Sequence, residues 1–294
     1  MCIRINIYVL VSALAVSTIV CSYTSGADVD DKAFSYDDYA AVLKTYVDNM
    51  GMVNYKQLKA HREKLDAFAQ AISELDTKTY EKWSKEDKVA FWINAYNGLT
   101  LKVIIDNYPI KPSFFKSIYY PKNSIRQIPG VWDKKKFKVM GKDMTLGHIE
   151  HVILRKQFDE PGIHVALVCA ALGCPTLRDE PYMGNRLEEQ FDNQTRSFLA
   201  NPKKFMIDRK AGQVNLSPIF KWFGHDFTNK YGLAKKLPGL SKNETAVINF
   251  LSRHLDKNDR DYLMKGNFRI RYSKYDWSLN EQLIQVKMLK WTLQ

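Results

Sequence analysis

The chain of 294 residues is poor in cysteine, proline and glycine, with four cysteines, 10 prolines and 14 glycines. Four cysteines are too few for a small fold that depends on several disulfides. With so little proline and glycine and 45% hydrophobic residues, the chain is neither collagen-like nor intrinsically disordered. A chain of this length and composition can bury a substantial apolar core, so we expect an ordinary globular protein.

Long apolar runs are equally scarce, and the one that stands out covers residues 7–20. This run is too short to span a bilayer comfortably. It follows Arg4 and precedes the small residues Ser25 and Ala27, an order typical of a secretory signal peptide that is cleaved near Ala27. An uncleaved membrane anchor is the alternative interpretation. We expect residues 1–27 to be a signal peptide.

After removal of this segment, the mature chain is predicted to have two regions. Residues 28–280 are predicted to form one globular domain, because no Pro-, Gly- or Ser-rich linker interrupts them. Residues 281–294 are predicted to form a C-terminal helix or a tail. The mature protein is expected to be secreted, or periplasmic in a bacterium, with no stable membrane span. If the host glycosylates Asn-X-Ser/Thr sequences, we also expect the secreted protein to be a glycoprotein. These sequences begin at Asn193, Asn215 and Asn243.

The positive charge of the chain is large but dispersed, with a formal net charge of +12. Its one dense run, residues 134–136, lacks a nucleic-acid-binding motif and interleaved aromatic residues, and such a run is most often a solvated surface. No Gly-rich phosphate-binding loop is present in the sequence. We therefore expect no nucleic-acid partner and no cofactor, and we predict a small-molecule or peptide substrate.

Residues 86–107 have the strongest helical pattern, which Tyr108-Pro109 ends. Because apolar side chains cover nearly its whole circumference, this helix is predicted to be central and buried. Asn94 and Asn97 then lie among apolar neighbours, where an unpaired amide costs about 1–3 kcal/mol. Each amide must therefore have a specific hydrogen-bond partner. The two asparagines either support a neighbouring loop or line a binding site.

A further helix is predicted over residues 145–155. His148, His151 and Arg155 share its polar face. Glu150 lies near the edge of the apolar stripe, where a carboxylate is either paired or has a raised pKa. This position makes Glu150 a candidate site residue, and a surface glutamate is the alternative.

Residues 163–169 are apolar or β-branched along almost their whole length. Such a run is typical of a central strand that is buried on both faces. The turn that follows has Gly173 and Pro175 on either side of Cys174. We therefore predict the α+β class, with a single helix-rich domain packed around a small central β-sheet and the cysteine loop at a strand end.

Cys169 and Cys174 are the cysteines that remain after signal cleavage. In an oxidising compartment they form either a small-loop disulfide or a reactive thiol site. Cys174 lies in the turn and is therefore the better candidate nucleophile. A thiol becomes nucleophilic when a nearby imidazole or cation lowers its pKa. His164 and His151 are the candidate bases. The candidate orienting groups for the imidazole are Glu150, Asn94 and Asn97.

A metal site is a second way to combine some of these side chains. His148 and His151, three positions apart on one helix, resemble paired imidazole ligands, with His164 or Cys174 as a third. No further acidic or His/Cys cluster has ligand spacing, and an exposed pair of histidines is commoner than a zinc site. We expect no metal.

Five ordered stretches of the sequence resemble the domain-of-unknown-function family 547. They are residues 90–100, 145–155, 163–175, 216–227 and 275–280. The resemblance covers roughly residues 34–280. The motif residues of the family correspond here to Asn94, Asn97, Glu150, His151, Arg155, His164, Cys169 and Cys174. The resemblance implies a domain that occurs in both secreted and intracellular proteins, so a disulfide alone does not explain the two cysteines.

Two functions follow from these residues. The first is a secreted thiol-dependent hydrolase or transferase that attacks a peptide-like amide or thioester with Cys174. Its predicted substrate-binding residues are Asn94, Asn97, Arg155 and Arg178, and the arginines would bind a substrate carboxylate bidentately. The alternative is a non-catalytic secreted binding module for a small acidic or thiol-containing ligand. An open cavity and an imidazole beside the Cys174 sulfur would favour the enzyme.

Overall fold

A computed structural model describes residues 34–282 of the protein. Residues 1–33, which include the predicted signal peptide, and residues 283–294, which include most of the predicted C-terminal segment, lie outside the described part. Within residues 34–282, no helix combines the length and the apolar character that a membrane crossing requires.

Helices make up most of the regular structure. The α-helices are α1 (Asp37–Tyr46), α2 (Tyr55–Ala60), α3 (Glu63–Glu74), α4 (Thr77–Glu81), α5 (Lys85–Asp106), α6 (Leu146–His148), α7 (Leu187–Leu199), α8 (Pro218–Trp222), α9 (Thr228–Tyr231), α10 (Lys242–Ser252) and α11 (Lys257–Leu263). A π-helix, Ile149–Gln157, continues α6. Short 3₁₀-helices cover Lys116–Ile118, Ile125–Gln127, Pro161–Val165, Gly184–Arg186 and Gly224–Phe227.

Two small sheets accompany the helices. The strands are β1 (Phe137–Val139), β2 (Lys142–Met144), β3 (Phe205–Asp208), β4 (Gln213–Leu216) and β5 (Arg269–Tyr272). β1 and β2 form an antiparallel hairpin, and β4 pairs antiparallel with β3 and parallel with β5. In this register Val214 lies opposite both Ile207 and Ile270. The combination confirms a helix-rich fold of the α+β class.

Helix α5 lies in the centre of the larger hydrophobic core, as its sequence predicts. The Ser84 side chain caps its N-terminus by accepting a hydrogen bond from the backbone N–H of Asp87. Of its 22 residues, 16 are buried, so apolar contacts surround the helix on nearly all sides. Tyr108-Pro109 follows its C-terminus, where proline prevents further helix.

Asn94 and Asn97 support neighbouring loops from within this helix. The Asn94 amide donates to the carbonyl oxygen of Tyr182 and accepts from its N–H, at 2.7 and 2.9 Å. The Asn97 amide donates to the Ala166 carbonyl at 3.1 Å and accepts from the Val168 N–H at 2.9 Å. Both asparagines are almost fully buried, and each satisfies two backbone groups that would otherwise lack partners.

The predicted central strand over residues 163–169 is wrong. Its first residues belong to the 3₁₀-helix Pro161–Val165, and a helical turn continues through the hydrogen bond from the Leu167 N–H to the Ile163 carbonyl. The segment is buried as predicted, but Asn97, and not a neighbouring strand, satisfies part of its backbone. An apolar run reports burial and does not distinguish a strand from another buried conformation.

The cysteine loop therefore does not follow a regular strand, and residues 275–282 hold it in place. The N–H groups of Leu172 and Gly173 donate to the carbonyls of Ser278 and Asp276, both at 2.8 Å. Ala171 forms an isolated antiparallel bridge with Leu279. This pairing places the C-terminal segment directly beside the two cysteines.

The same segment also contacts the connection between helices α1 and α2 and the start of α2. The Asn280 side chain accepts from the Tyr55 hydroxyl at 2.7 Å and donates to the Gly51 carbonyl at 3.1 Å. Glu281 forms a parallel bridge with Val53, and the Gln282 N–H donates to the Val53 carbonyl. The first two residues of the predicted segment 281–294 are thus extended and paired, and are not the start of a helix.

Gly98 permits the close packing of α5 against α3. A Cβ atom at this position would lie 2.6 Å from Cε1 of Phe68, whose ring stacks on that of Tyr39. We expect Gly98→Ala to lower the free energy of unfolding by about 1–3 kcal/mol through overpacking, although alanine favours helix over glycine by about 1 kcal/mol. Urea denaturation measures this change. In a Phe68→Leu background the same substitution should cost less, and an equal cost would contradict the proposed clash.

Candidate functional site

The predicted nucleophile and bases meet at one cavity of about 380 Å³. Its lining includes five of the residues that the sequence singled out: Glu150, His151, His164, Cys169 and Cys174. Aromatic side chains supply much of the remaining wall, among them Trp132, Tyr275 and Trp277. A concave, mostly apolar space with a few polar groups is typical of a small-molecule site.

The two cysteines lie side by side in this wall. Their sulfur atoms are 2.7 Å apart, and both cysteines are free. Cys169 is half-buried, whereas Cys174 is only 2% exposed. The backbone N–H of Cys169 donates to the Cys174 sulfur at 3.0 Å. The pair is therefore close enough for either sulfur to influence the ionisation of the other.

Tyr275 contacts both sulfurs. Its hydroxyl oxygen lies 3.1 Å from the sulfur of Cys174 and 3.4 Å from that of Cys169. Gly173 makes room for this contact, because a Cβ atom there would lie 2.9 Å from the Tyr275 ring. Burial and the two neighbouring sulfurs raise the pKa of Tyr275 well above its ordinary value. Tyr275 therefore keeps its proton and acts as a hydrogen-bond donor.

These contacts shift the pKa values of the two thiols in opposite directions. Burial by itself raises the pKa of Cys174, but hydrogen bonds from the Cys169 thiol, the Tyr275 hydroxyl and the backbone outweigh it and lower that pKa. Donation to the Cys174 sulfur, together with burial, raises the pKa of Cys169 well above the ordinary value. Cys174 is therefore the more acidic thiol of the pair, and Cys169 keeps its proton when Cys174 ionises.

His164 is oriented by Asp226, a residue that the sequence analysis did not select. The Nε2 atom of His164 lies 2.8 Å from Oδ2 of Asp226, and its ring stacks on Phe223 with the centroids 4.4 Å apart. Arg155 binds the same carboxylate through two N–H groups at 2.6 and 3.0 Å. Because an ionised carboxylate only accepts, Nε2 carries the proton and Nδ1 is the basic nitrogen of neutral His164.

The ionic state of Asp226 follows from its two partners. Burial favours the neutral acid, but the hydrogen bonds from His164 and Arg155 outweigh it and hold the pKa of Asp226 far below its ordinary value. The carboxylate thus stays charged and keeps His164 in one orientation, as the acidic member of a catalytic triad does.

His151 and Glu150 enter the cavity from the π-helix. The Nδ1 atom of His151 accepts from Arg155 at 3.2 Å and lies 3.8 Å from Oε1 of Glu150. The side chain of His151 is 49% exposed and that of Glu150 is 12% exposed. His148, on α6, does not line this cavity. Within residues 34–282, no group of three His, Cys, Asp or Glu side chains is arranged to hold a metal ion.

Neither histidine reaches the sulfurs directly. Among the described residues, the side chains within hydrogen-bond distance of the cysteine sulfurs are Tyr275 and the cysteines themselves. Tyr275 thus occupies the position beside the nucleophile that an imidazole was expected to take.

The four predicted substrate-binding residues, Asn94, Asn97, Arg155 and Arg178, lie outside the lining of this cavity. The amides of Asn94 and Asn97 are saturated by loop backbone, as described above. The guanidinium of Arg155 is occupied by Asp226 and that of Arg178 by Glu180. Carboxylates of the chain itself already fill the role that a substrate was expected to play for these arginines.

Arg126 is the guanidinium that does line the cavity. It follows Ser124, which caps the 3₁₀-helix Ile125–Gln127. Its Cζ atom lies 4.5, 5.1 and 5.4 Å from the ring centroids of Tyr120, Trp277 and Trp132, respectively. The sequence carried no signal for this residue, because it lies outside the family-like stretches. Asp226 and Tyr275 lie within such stretches but were not recognised as partners of the histidine and the cysteines.

Comparison with known proteins adds a match to one family model, which has no described activity. Residues 80–199 match the family model described as "Protein of unknown function, DUF547". No curated protein matches the chain, and no solved structure matches it. The matched stretch contains both cysteines, His151 and His164, whereas Asp226 and Tyr275 follow it. The expected resemblance to DUF547 is thus confirmed over residues 80–199.

Proposed function

We propose that the protein is a thiol-dependent hydrolase or transferase whose nucleophile is the Cys174 thiolate. The observation that carries this proposal is the set of donors around the Cys174 sulfur: the Cys169 N–H, the Cys169 thiol and the Tyr275 hydroxyl. Charge-assisted hydrogen bonds of this kind stabilise a thiolate relative to the thiol. The proposed substrate is a peptide-like amide or a thioester.

In the first half of the reaction, the Cys174 sulfur forms a bond with the carbonyl carbon of the substrate. The carbon–nitrogen bond of an amide then breaks, and the leaving nitrogen takes a proton from an imidazolium of the cavity. A thioester releases a thiolate, which takes the proton of the same imidazolium and leaves the imidazole neutral for the second half. In the second half, water or an acceptor amine gives its proton to the imidazole and attacks the acyl-enzyme, which restores the Cys174 thiolate.

His164 is better suited than His151 to this proton transfer. Asp226 holds the Nε2–H of His164, and its Nδ1 has no hydrogen-bond partner within residues 34–282. The Nδ1 lone pair of His151 is used by Arg155. Because Tyr275 already stabilises the thiolate, His164 has to act only on the leaving group and the attacking water.

The proposed enzyme acts outside the cell, or in the periplasm of a bacterium, since residues 1–27 have the composition of a signal peptide. Secretion in a glycosylating host would make two of the three glycosylation sequences available for modification. Asn193 and Asn243 are exposed and accessible to a glycan, whereas Asn215 is half-buried in β4.

Alkylation tests the proposed nucleophile. Cys174 of the reduced protein should react with iodoacetamide with a pH midpoint below about 8.5, the value of a free thiol, because its pKa is lowered. Mass spectrometry of peptides assigns the label to Cys174 or Cys169, and Cys174→Ser is the control. A Cys174 that is inert below about pH 8, or one that is bonded to Cys169 in the secreted protein, would contradict the proposal.

A binding module for a small acidic or thiol-containing ligand is the second candidate. It is favoured by the near-complete burial of Cys174 and, among the described residues, by the lack of an imidazole within hydrogen-bond distance of its sulfur. Release of thiol from a series of acyl thioesters separates the two functions. Turnover that Cys174→Ser abolishes supports the enzyme. A thiolate that is readily alkylated but never turns over any member of the series supports the binding module.

A further inference from the structure

Arg126 is fixed in the cavity wall by aromatic rings and not by an acid. Its guanidinium lies over the rings of Tyr120, Trp132 and Trp277, and its Nη2 donates to the Tyr120 hydroxyl at 2.7 Å. Within residues 34–282, no carboxylate lies within ion-pair distance of Arg126. The aromatic contacts hold the cation in place and leave its charge uncompensated.

Such a guanidinium is suited to an anionic group of a ligand. A planar guanidinium binds a carboxylate bidentately, and the interaction is stronger in an apolar wall than in water. Arg155, which does not line the cavity, is already neutralised by Asp226. Glu150 lines the cavity, and a carboxylate there repels an anion. The charges therefore direct an anion towards Arg126.

We propose that Arg126 binds a carboxylate of the substrate and so selects small acidic acyl compounds, an inference that rests on the proposed function. The cavity volume of about 380 Å³ lies at the lower end of the usual range for ligand sites. It fits an amide or thioester of about one or two residues in length. The acyl carbon of this substrate faces Cys174 while its carboxylate is bound by Arg126.

Matched alkylating probes test this inference without knowledge of the substrate. Iodoacetate and iodoacetamide differ in charge, and iodoacetylglycine and iodoacetylglycinamide repeat the comparison with a longer reach. In each case the Cys174 sulfur bonds to the CH₂ carbon and iodide leaves. The measured quantity is the ratio of the alkylation rate with the anionic probe to the rate with the neutral probe. For at least one pair, we expect this ratio to be higher for the wild-type protein than for free cysteine. Arg126→Gln should reduce that ratio by about tenfold to a hundredfold.

The neutral probe is the internal reference in every variant, so the ratio is insensitive to a general change in thiol reactivity. Arg126→Lys keeps the charge without the bidentate geometry and should lose only part of the preference. Arg271→Gln removes the same charge from an exposed position of β5 and should leave the ratio at its wild-type value.

The possible failures are distinguishable. If wild type and Arg126→Gln have the same ratio for both probe pairs, the role of Arg126 is refuted while the Cys174 nucleophile stands. If Cys174 does not react even with the neutral probes at neutral pH, both the proposed thiol-dependent function and the proposed role of Arg126 are refuted. The thermal unfolding temperature of each variant confirms that it is folded during the measurement.

Discussion

Replacement of Tyr275 by phenylalanine is expected to slow the alkylation of Cys174 at pH 7 by about tenfold to a hundredfold. Tyr275 donates a hydrogen bond to the Cys174 sulfur at 3.1 Å. A hydrogen bond to a charged group contributes about 1.5–3 kcal/mol, which corresponds to a shift of about one to two pKa units. Without this donor the pKa of Cys174 rises, and less thiolate is present at neutral pH.

The pH dependence of the labelling rate measures this effect directly. The midpoint for Tyr275→Phe should lie above that of wild type, and the two rates should converge at high pH, where the thiol of either protein is ionised. Tyr272→Phe, in β5 and outside the cavity, is the matched control and should keep the wild-type midpoint. An unchanged midpoint in Tyr275→Phe would show that Tyr275 does not stabilise the thiolate.

Asp226→Asn is expected to lower the free energy of unfolding at pH 7 by about 3 kcal/mol, because it leaves the partly buried guanidinium of Arg155 without its anion. The Asp226 side chain is 15% exposed, and its partners are Arg155 and the nearly inaccessible His164. An asparagine keeps the shape of the carboxylate but removes its charge. Urea denaturation at pH 7 gives the difference from wild type.

The pH profile of this difference is a second measurement. Since the pKa of Asp226 is depressed by folding, its stabilisation is complete above about pH 3.9, where the unfolded carboxyl ionises, and is lost as the pH falls towards the folded pKa. The gap between wild type and Asp226→Asn should therefore shrink in acid.

Asp261→Asn is the control for the loss of one carboxylate. Asp261 pairs with Lys257 on an exposed surface, where ion pairs contribute little, so this variant should remain close to wild type at every pH. A gap for Asp226→Asn that is no larger than that for Asp261→Asn would refute the structural role of the His164–Asp226–Arg155 network.

The sequence pattern of residues 85–109 was sufficient to predict helix α5, because residues within and next to the helix determine its burial and its ends. Ser84 caps one end, Pro109 follows the other, and apolar side chains surround the helix between them. The prediction of a strand over residues 163–169 was wrong because the conformation of this segment depends on a residue distant in sequence. Its conformation depends on Asn97, which lies far from it in sequence and replaces the hydrogen bonds of a neighbouring strand.

The site was predictable only in part, for a similar physical reason. Nucleophiles and bases such as Cys174 and His164 are recognised by their own chemistry wherever they occur. The groups that tune them are ordinary residues until the fold brings them close. Tyr275 reaches Cys174 across 101 positions of sequence, and Asp226 reaches His164 across 62. No local spacing rule connects such pairs.

The late position of Tyr275 in the chain also bears on synthesis. A ribosome-bound chain that has emerged only as far as its cysteines lacks Tyr275 and the paired segment 275–282 that delivers it. Its cysteines are then ordinary thiols, with the low reactivity of the protonated form at neutral pH. Under the proposed function, the lowered pKa of Cys174 therefore arises only when that segment has paired with the cysteine loop.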